Sequence, residues 1–391
     1  MNGSTRRRFV VGLASMAMVL SACSSTTATT APTTAPTVAP TSAAPASEAA
    51  SASAPASEAA SASAAPSAAA SGAASGGASG MTAVMIPKQI NNPYFDVAFK
   101  GAQKAATDLG GSVTQVGPSA ADATQQVPFI QTATTQGASA IIVSADDATA
   151  IAPALKAAMQ AGVKVVGYDS ASAPGSYNVF VNQADTAGIG KGLADMACKI
   201  APSCAGQIAV LSAAQSATNQ NAWIAAMKDT LKGSSYSGLK LVGVVYGNDD
   251  PQVSTQQAQA LLQAYPQLKV IVAPTTVGIV AAAQVVRAAK KTGSVFVTGL
   301  GTPKGMVDYV KGGESPQFAL WNVTDLGYLA YAVASQLVAG TIKGNQGEQF
   351  TVKGINNDQP YTIGPANVVV LGPPFVFDKS NIDQYVASFG F

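Results

Sequence analysis

The chain has 391 residues, of which only 11% are charged, with a net charge of +2 and no histidine. A nucleic-acid partner therefore has no electrostatic basis. The missing histidines exclude a metalloenzyme or a His-based triad, though not a carboxylate- or Lys-based enzyme, and no metal or cofactor is expected.

The N-terminus opens with Arg6-Arg7-Arg8, an apolar run from Phe9 to Leu20, and Leu20-Ser21-Ala22-Cys23. This is the layout of a secretory signal peptide, and the run is too short to span a membrane. It resembles a bacterial lipoprotein signal over residues 1–23, with Leu-Ser-Ala-Cys as the lipobox. That implies cleavage before Cys23 and a lipid on its thiol, anchoring the chain outside the cytoplasm, in a periplasm or on the outer face of the cell membrane. Thr5-Arg6-Arg7-Arg8-Phe9-Val10 also looks like a twin-arginine export motif. Residues 24–80 are an Ala/Ser/Thr/Pro/Gly tract with few large side chains. Such a tract cannot offset its ordering entropy and reads as a disordered tether.

Residues 81–391, roughly 310 of them, are too many for one comfortable core and suit two lobes. Strands and helices alternate along them. A strand at Ala83–Pro87 precedes a helix over Phe95–Leu109, and a strand at Ser112–Val116 precedes a helix over Ala123–Gln136. Ala140–Ser144 is an apolar strand, Ala148–Gln160 a helix, and Val163–Tyr168 a strand ending at Asp169. The pattern restarts with a helix over Asp185–Ile200, then strands near 206–212, 239–246, 270–273 and 295–299, each followed by a helix. This predicts an α/β fold of two Rossmann-like lobes with parallel sheets. Phe318–Leu320 reads as a last strand, and the next helix, capped by Thr324 or Asp325, ends at Gly340. Cys198 and Cys204, in an exported chain, are expected to form a disulfide closing a short loop.

Ligand contacts in open parallel sheets lie at the carboxyl ends of the strands. Those ends carry Lys88, Asn92, Tyr94 and Phe95, then Ser144 and Asp146, then Asp169, with Asn182 at the passage between the series. In the second series they carry Asn219, Gln220 and Trp223, then Asn248-Asp249-Asp250, then Pro274, Thr275 and Thr276, then Gly301. Trp321-Asn322 completes the set. Individually Asp146, Asp147, Thr276 and Thr302 read as helix caps. Together, aromatics and amides at matching strand ends suit a neutral polyol: rings cover C–H faces, amides and one carboxylate bond hydroxyls.

The chain resembles bacterial extracytoplasmic sugar-binding proteins of the ribose-binding type (periplasmic binding protein-like I), and within them the rhamnose-binding branch of ABC importers. Ile86-Pro87-Lys88, Asn92-Pro93-Tyr94-Phe95-Asp96, Asn219-Gln220-Asn221-Ala222-Trp223, Pro274-Thr275-Thr276 and Ala319-Leu320-Trp321-Asn322 carry the resemblance. It implies two lobes joined by three crossings, near 182–185, near 321–324 and in the C-terminal tail. Lobe 1 would take 81–183 with about 322–352, and lobe 2 would take 184–321 with about 353–391. It also implies a monomer that captures a monosaccharide, L-rhamnose first, closes on a hinge and hands it to an ABC permease. Autoinducer-2-binding cousins share Lys88, Asp169, Gln220 and Pro274. They typically have Asp and Ala where this chain has Asn219 and Thr276, so autoinducer-2 is the alternative ligand. An anchored enzyme using Asp146 and Asp169 as acid and base is disfavoured, because nothing pairs two carboxylates at a glycosidase separation.

Overall fold

The computed structural model describes residues 78–388. The expected signal peptide, Cys23 and almost all of the tether lie outside the described residues.

The first series runs β1 (Thr82–Ile86), α1 (Pro93–Leu109), β2 (Ser112–Gln115), α2 (Ala123–Thr135), β3 (Ala140–Val143), α3 (Ala152–Gln160), β4 (Lys164–Tyr168) and β5 (Val179–Asn182). The second runs α4 (Thr186–Ile200), β6 (Gly206–Ser212), α5 (Thr218–Thr230), β7 (Leu239–Tyr246), α6 (Pro251–Ala264), β8 (Leu268–Ala273), α7 (Thr276–Ala288), β9 (Phe296–Gly299), α8 (Pro303–Gly312) and β10 (Gln317–Leu320). The tail holds α9 (Val323–Ala339), β11 (Gln349–Phe350), β12 (Tyr361–Thr362), β13 (Val368–Val370), β14 (Phe375–Asp378) and α10 (Ile382–Ser388).

Two parallel sheets result, as the apolar strands predict. The first has the order β13-β5-β4-β3-β1-β2 and the second β7-β6-β8-β9. A parallel bridge between Leu300 and Ala319 carries the second sheet on to β10, which pairs antiparallel with β14. In both sheets the order reverses beside the first strand, between β1 and β3 and between β6 and β8. A crevice opens at the carboxyl ends on either side of such a switch.

The chain crosses between lobes three times: from β5 to α4, from β10 to α9, and from β13 to β14. The third crossing comes later than expected. The tail does not join lobe 2 at about 353, because β13 pairs with β5 in the lobe 1 sheet (Val368 beside Phe180). Only past Leu371 does it reach β10, with Phe377 beside Phe318. Cys198 and Cys204 are joined as a disulfide at the end of α4.

Helix α9 explains how the second crossing is fixed. Its residues are apolar almost all round, and from Leu326 to Leu337 every side chain is buried. Such a helix needs cover on every face, and it finds it between the lobe 1 sheet and α1. The approach to α1 is close enough to require glycine on both helices. A Cβ on Gly327 would lie 1.7 Å from the Ala98 carbonyl oxygen, and one on Gly101 would lie 1.9 Å from the Thr324 carbonyl oxygen. Gly327→Ala or Gly101→Ala is therefore expected to lower stability by about 1–3 kcal/mol, read as a lower melting temperature. An unchanged melting temperature in both variants would contradict the packing described.

Candidate functional site

The crevice between the two sheets holds a tight cavity of about 40 Å³ with walls from both lobes. From lobe 1 come Lys88, Asn92, Tyr94, Phe95 and Asp169. From lobe 2 come Asn219, Gln220, Trp223, Pro274, Thr275 and Thr276, and Trp321 stands at the second crossing. Asp249, from the strand-end triplet Asn248-Asp249-Asp250, completes the lining together with Leu300 and Leu320, which the sequence does not mark.

Asp169 is the centre of the polar contacts. It follows β4 directly and adopts a left-handed backbone, φ +59°. Its carboxylate accepts from the Tyr94 hydroxyl at 3.1 Å and from the Ser144 hydroxyl at 2.7 Å. Lys88 Nζ stands 3.7 Å from Asp169 Oδ2, and both side chains are only 6% exposed. Asn219, in the first turn of α5, spans the cleft: it accepts from Lys88 Nζ at 3.0 Å and donates to Asp169 Oδ1 at 3.4 Å. Trp321 Nε1 donates to the Tyr94 hydroxyl at 3.0 Å, so the hinge residue reaches the carboxylate through one tyrosine. Burial and the Asp169 charge push Tyr94 well above the usual tyrosine range, which keeps it a hydroxyl donor.

The aromatic walls form one cluster. Tyr94 meets Trp321 edge-on with ring centres 6.2 Å apart, and Trp321 meets Trp223 at 5.9 Å. Phe95 stands edge-on to Tyr94 at 5.1 Å. Edge-to-face packing fixes the orientation of each ring.

Two buried glutamines hold the strand-end loops in corresponding ways. In lobe 1, Gln126 of α2 donates to the Pro87 and Ser144 carbonyls and accepts from the Asp146 amide. In lobe 2, the Gln220 side-chain oxygen accepts from the Ser212 hydroxyl and the Ala213 amide. Asp249, from a left-handed pair with Asn248, accepts from the Thr275 hydroxyl. Burial pushes its carboxyl up, opposed by that hydrogen bond and by Lys88.

Five expected site residues do not line the cavity. Ser144 bonds Asp169 from behind it. Asn182 ends β5, and its carbonyl accepts from the Leu371 amide in the third crossing. Gly301 is packed against Met306, Ile279 and Phe318, so it is a tight turn rather than a contact. Asn322 is the N-cap of α9, in place of the expected Thr324 or Asp325. It accepts from the Asp325 amide at 3.2 Å while its own amide donates to the Asp325 carboxyl at 2.8 Å. This reciprocal pair occupies the group expected to face a ligand.

Asp146 is the fifth. It is buried, and its Oδ2 has no hydrogen-bond partner. The expected caps also sort differently. Asp147 closes a turn onto Thr149 and Ala150, and α3 starts only at Ala152. Thr302 caps α8, whereas the N-cap of α7 is Thr275 rather than Thr276. Helix α1 starts at Pro93, earlier than the expected Phe95. Asn92 thereby becomes a cap, its side chain accepting from the Tyr94 amide while it also lines the cavity.

Residues 83–342 match the periplasmic binding protein domain family. The chain belongs to this family. Its members bind solutes and are not enzymes, and membership carries an extracytoplasmic location. A solved ABC transporter solute-binding protein from Clostridium phytofermentas with bound L-rhamnose is 40% identical, with a TM-score of 0.76, covering 79% of this chain and 99% of that one. LsrB from Clostridium saccharobutylicum in complex with AI-2 is 25% identical, with a TM-score of 0.73, covering 78% and 99%. A D-ribose/D-allose-binding protein from Pseudomonas aeruginosa is 24% identical over 242 residues, 59% of this chain and 73% of that one.

Asp146 gives the site a pH dependence. Burial raises its carboxyl to about 7; Lys88 opposes this, while Asp249, Asp122 and Asp169 add to it. The folded chain thus holds a proton there that the unfolded chain releases near pH 4. This contribution to stability is full below pH 4, falls as pH rises, and is lost above about 7. Asp146→Asn is expected to flatten the fall and to raise the denaturation midpoint at pH 8 relative to the parent. Equal slopes between pH 5 and 8 in parent and variant would rule this out.

Proposed function

We propose that the chain is the substrate-binding component of a sugar ABC importer and that its ligand is L-rhamnose. The observation that carries this is the composition of the cavity. Two carboxylates, Asp169 and Asp249, with one buried cation, amides from the facing lobe and four aromatic rings surround a space walled by both lobes. The relative that carries bound L-rhamnose supports the choice of sugar, at 40% identity over nearly its whole length.

The chemistry follows from the groups. A monosaccharide offers hydroxyls along its rim and C–H bonds on its faces. Asp169 accepts from hydroxyls, and Lys88 and Asn219 donate to them; bonds to charged groups are each worth about 1.5–3 kcal/mol. In the structure these three contact one another, so a sugar exchanges protein bonds for its own rather than meeting unpaired groups. The Phe95, Tyr94 and Trp223 rings give a 6-deoxy sugar an apolar surface for its methyl group. A ring hydroxymethyl at that place would bury an unpaired hydroxyl, a discrimination of about 100-fold.

Closure is the second half of the function. Each lobe supplies part of the polar set, so only the closed arrangement satisfies the ligand, and binding shifts the population toward it. The permease then reads the closed form. The lipid anchor at Cys23 would keep the protein at the membrane that holds the permease, with the intervening tract as its leash, and the protein would work as a monomer.

Calorimetric titration tests the reading. L-rhamnose is expected to bind with a 1:1 stoichiometry and to change Trp fluorescence, because Trp321 and Trp223 both line the cavity. Asp169→Ala is expected to weaken binding by at least about 100-fold, the lower end for the loss of two hydroxyl bonds to a charge. Binding of autoinducer-2 with no response to L-rhamnose would replace nutrient uptake with signal uptake. Full affinity in Asp169→Ala would overturn the site.

A further inference from the structure

The cavity around Asp169 is not the whole of the cleft. Beside it lies a groove of about 1230 Å³, again with walls from both lobes. The two spaces meet at Asn92 and Asp249, which line both. The lobes already touch across the cleft through Lys88 to Asn219 at 3.0 Å and Gln89 to the Asp249 carbonyl at 3.3 Å. The groove therefore persists with the lobes in contact, and it adjoins the inner cavity across Asn92 and Asp249.

The lining of the groove has the chemistry of the cavity on a larger scale. Gln89 and Gln125 face it from lobe 1, and Gln215, Gln257 and the Tyr246 ring from lobe 2. Pro93 and Pro251 add flat apolar surface. Three carboxylates reach it, and each has a partner: Asp122 caps α2, Asp250 caps α6, and Asp249 accepts from Thr275. What faces an occupant is then amide-rich, with hydrogen-bonded carboxylates and no cation among the lining residues. Asn91, Asn248 and Asp249, which stand where the lobes meet, all hold left-handed backbones at φ +62°, +55° and +49°. Non-glycine residues in that region carry strain that the surrounding fold must maintain, and such strain concentrates at binding sites.

We infer that the groove is a second sugar subsite, so that the protein takes a short oligosaccharide or glycoside with one ring in the inner cavity and the next unit in the groove. This rests on the sugar reading and extends it from a free monosaccharide to a glycoside. A chain of neutral rings suits a groove of amides with one aromatic wall, because each hydroxyl finds a donor and acceptor and each C–H face an apolar surface. An anionic extension would meet like charge from Asp122, Asp249 and Asp250 and no cation among the lining residues.

The experiment is a calorimetric comparison of L-rhamnose with rhamnose disaccharides linked 1→2, 1→3 and 1→4, on the purified chain and on Tyr246→Ala and Gln215→Ala. Neither residue lines the inner cavity. The expected result is that at least one disaccharide binds as tightly as L-rhamnose or more so. The two variants should weaken that disaccharide about ten-fold, some 1.4 kcal/mol, with L-rhamnose unchanged. Binding of L-rhamnose with every disaccharide about 100-fold weaker would overturn the subsite and leave the monosaccharide reading standing. Equal losses for both ligands in the variants would overturn it as well. Failure of L-rhamnose itself to bind would remove the sugar reading and this inference together.

Discussion

The buried carboxylate of Asp169 is the constraint on which the rest of the site depends. A carboxylate out of water is costly unless it is paired and hydrogen-bonded. The fold answers with Lys88 from the loop after β1, Tyr94 from the start of α1, Ser144 from the end of β3 and Asn219 from the facing lobe. Four separate chain segments are thus brought to one point. Asn219 ties that point to the other lobe, so the charge that must be satisfied and the closure of the cleft are the same problem. A ligand with hydroxyls at the right positions substitutes for the cross-lobe bonds, and the closed state is favoured by the difference.

The hinge is coupled to this centre by short steps. Trp321 sits where β10 gives way to α9, and its indole N–H bonds the same Tyr94 hydroxyl that bonds Asp169. On the far side, α9 is locked against α1 by the glycine contacts at Gly101 and Gly327, and α1 carries Tyr94 and Phe95. Rotation about the second crossing must therefore move Trp321 relative to a helix that cannot slide. That is a physical route by which occupancy of the cavity changes the angle between lobes.

Much of this was legible in the sequence, for identifiable reasons. Continuous apolar runs such as Ala140–Val143 and regular alternation announced two parallel sheets, and strand ends then picked out most of the cavity lining. One cause of error is that residue types that bind polyols also cap helices. Asn322 was chosen because an amide follows an aromatic at a strand end, yet Asp325 three residues on made it half of a capping pair. Within the strand-end triplet Asn248-Asp249-Asp250, residue type alone does not single out Asp249. The distinguishing signal was available, since Asp250 precedes Pro251 and is the natural cap, which leaves Asp249 free for another role. Leu300 and Leu320 line the cavity through their position at strand ends, and nothing in their side chains marks them. The tail after Gly340 was unreadable for another reason. Its strands are two to four residues long, too short for periodicity to register, and their pairing is set by tertiary contact.

The measurement that tests the central claim most directly is a crystal structure of the chain grown with L-rhamnose. The account predicts the sugar ring between the lobes, with Asp169 and Lys88 on its rim, Asn219 bonding it from the opposite lobe and the aromatic cluster on its apolar edge. A sugar held by one lobe alone, or bound away from Asp169, would contradict it.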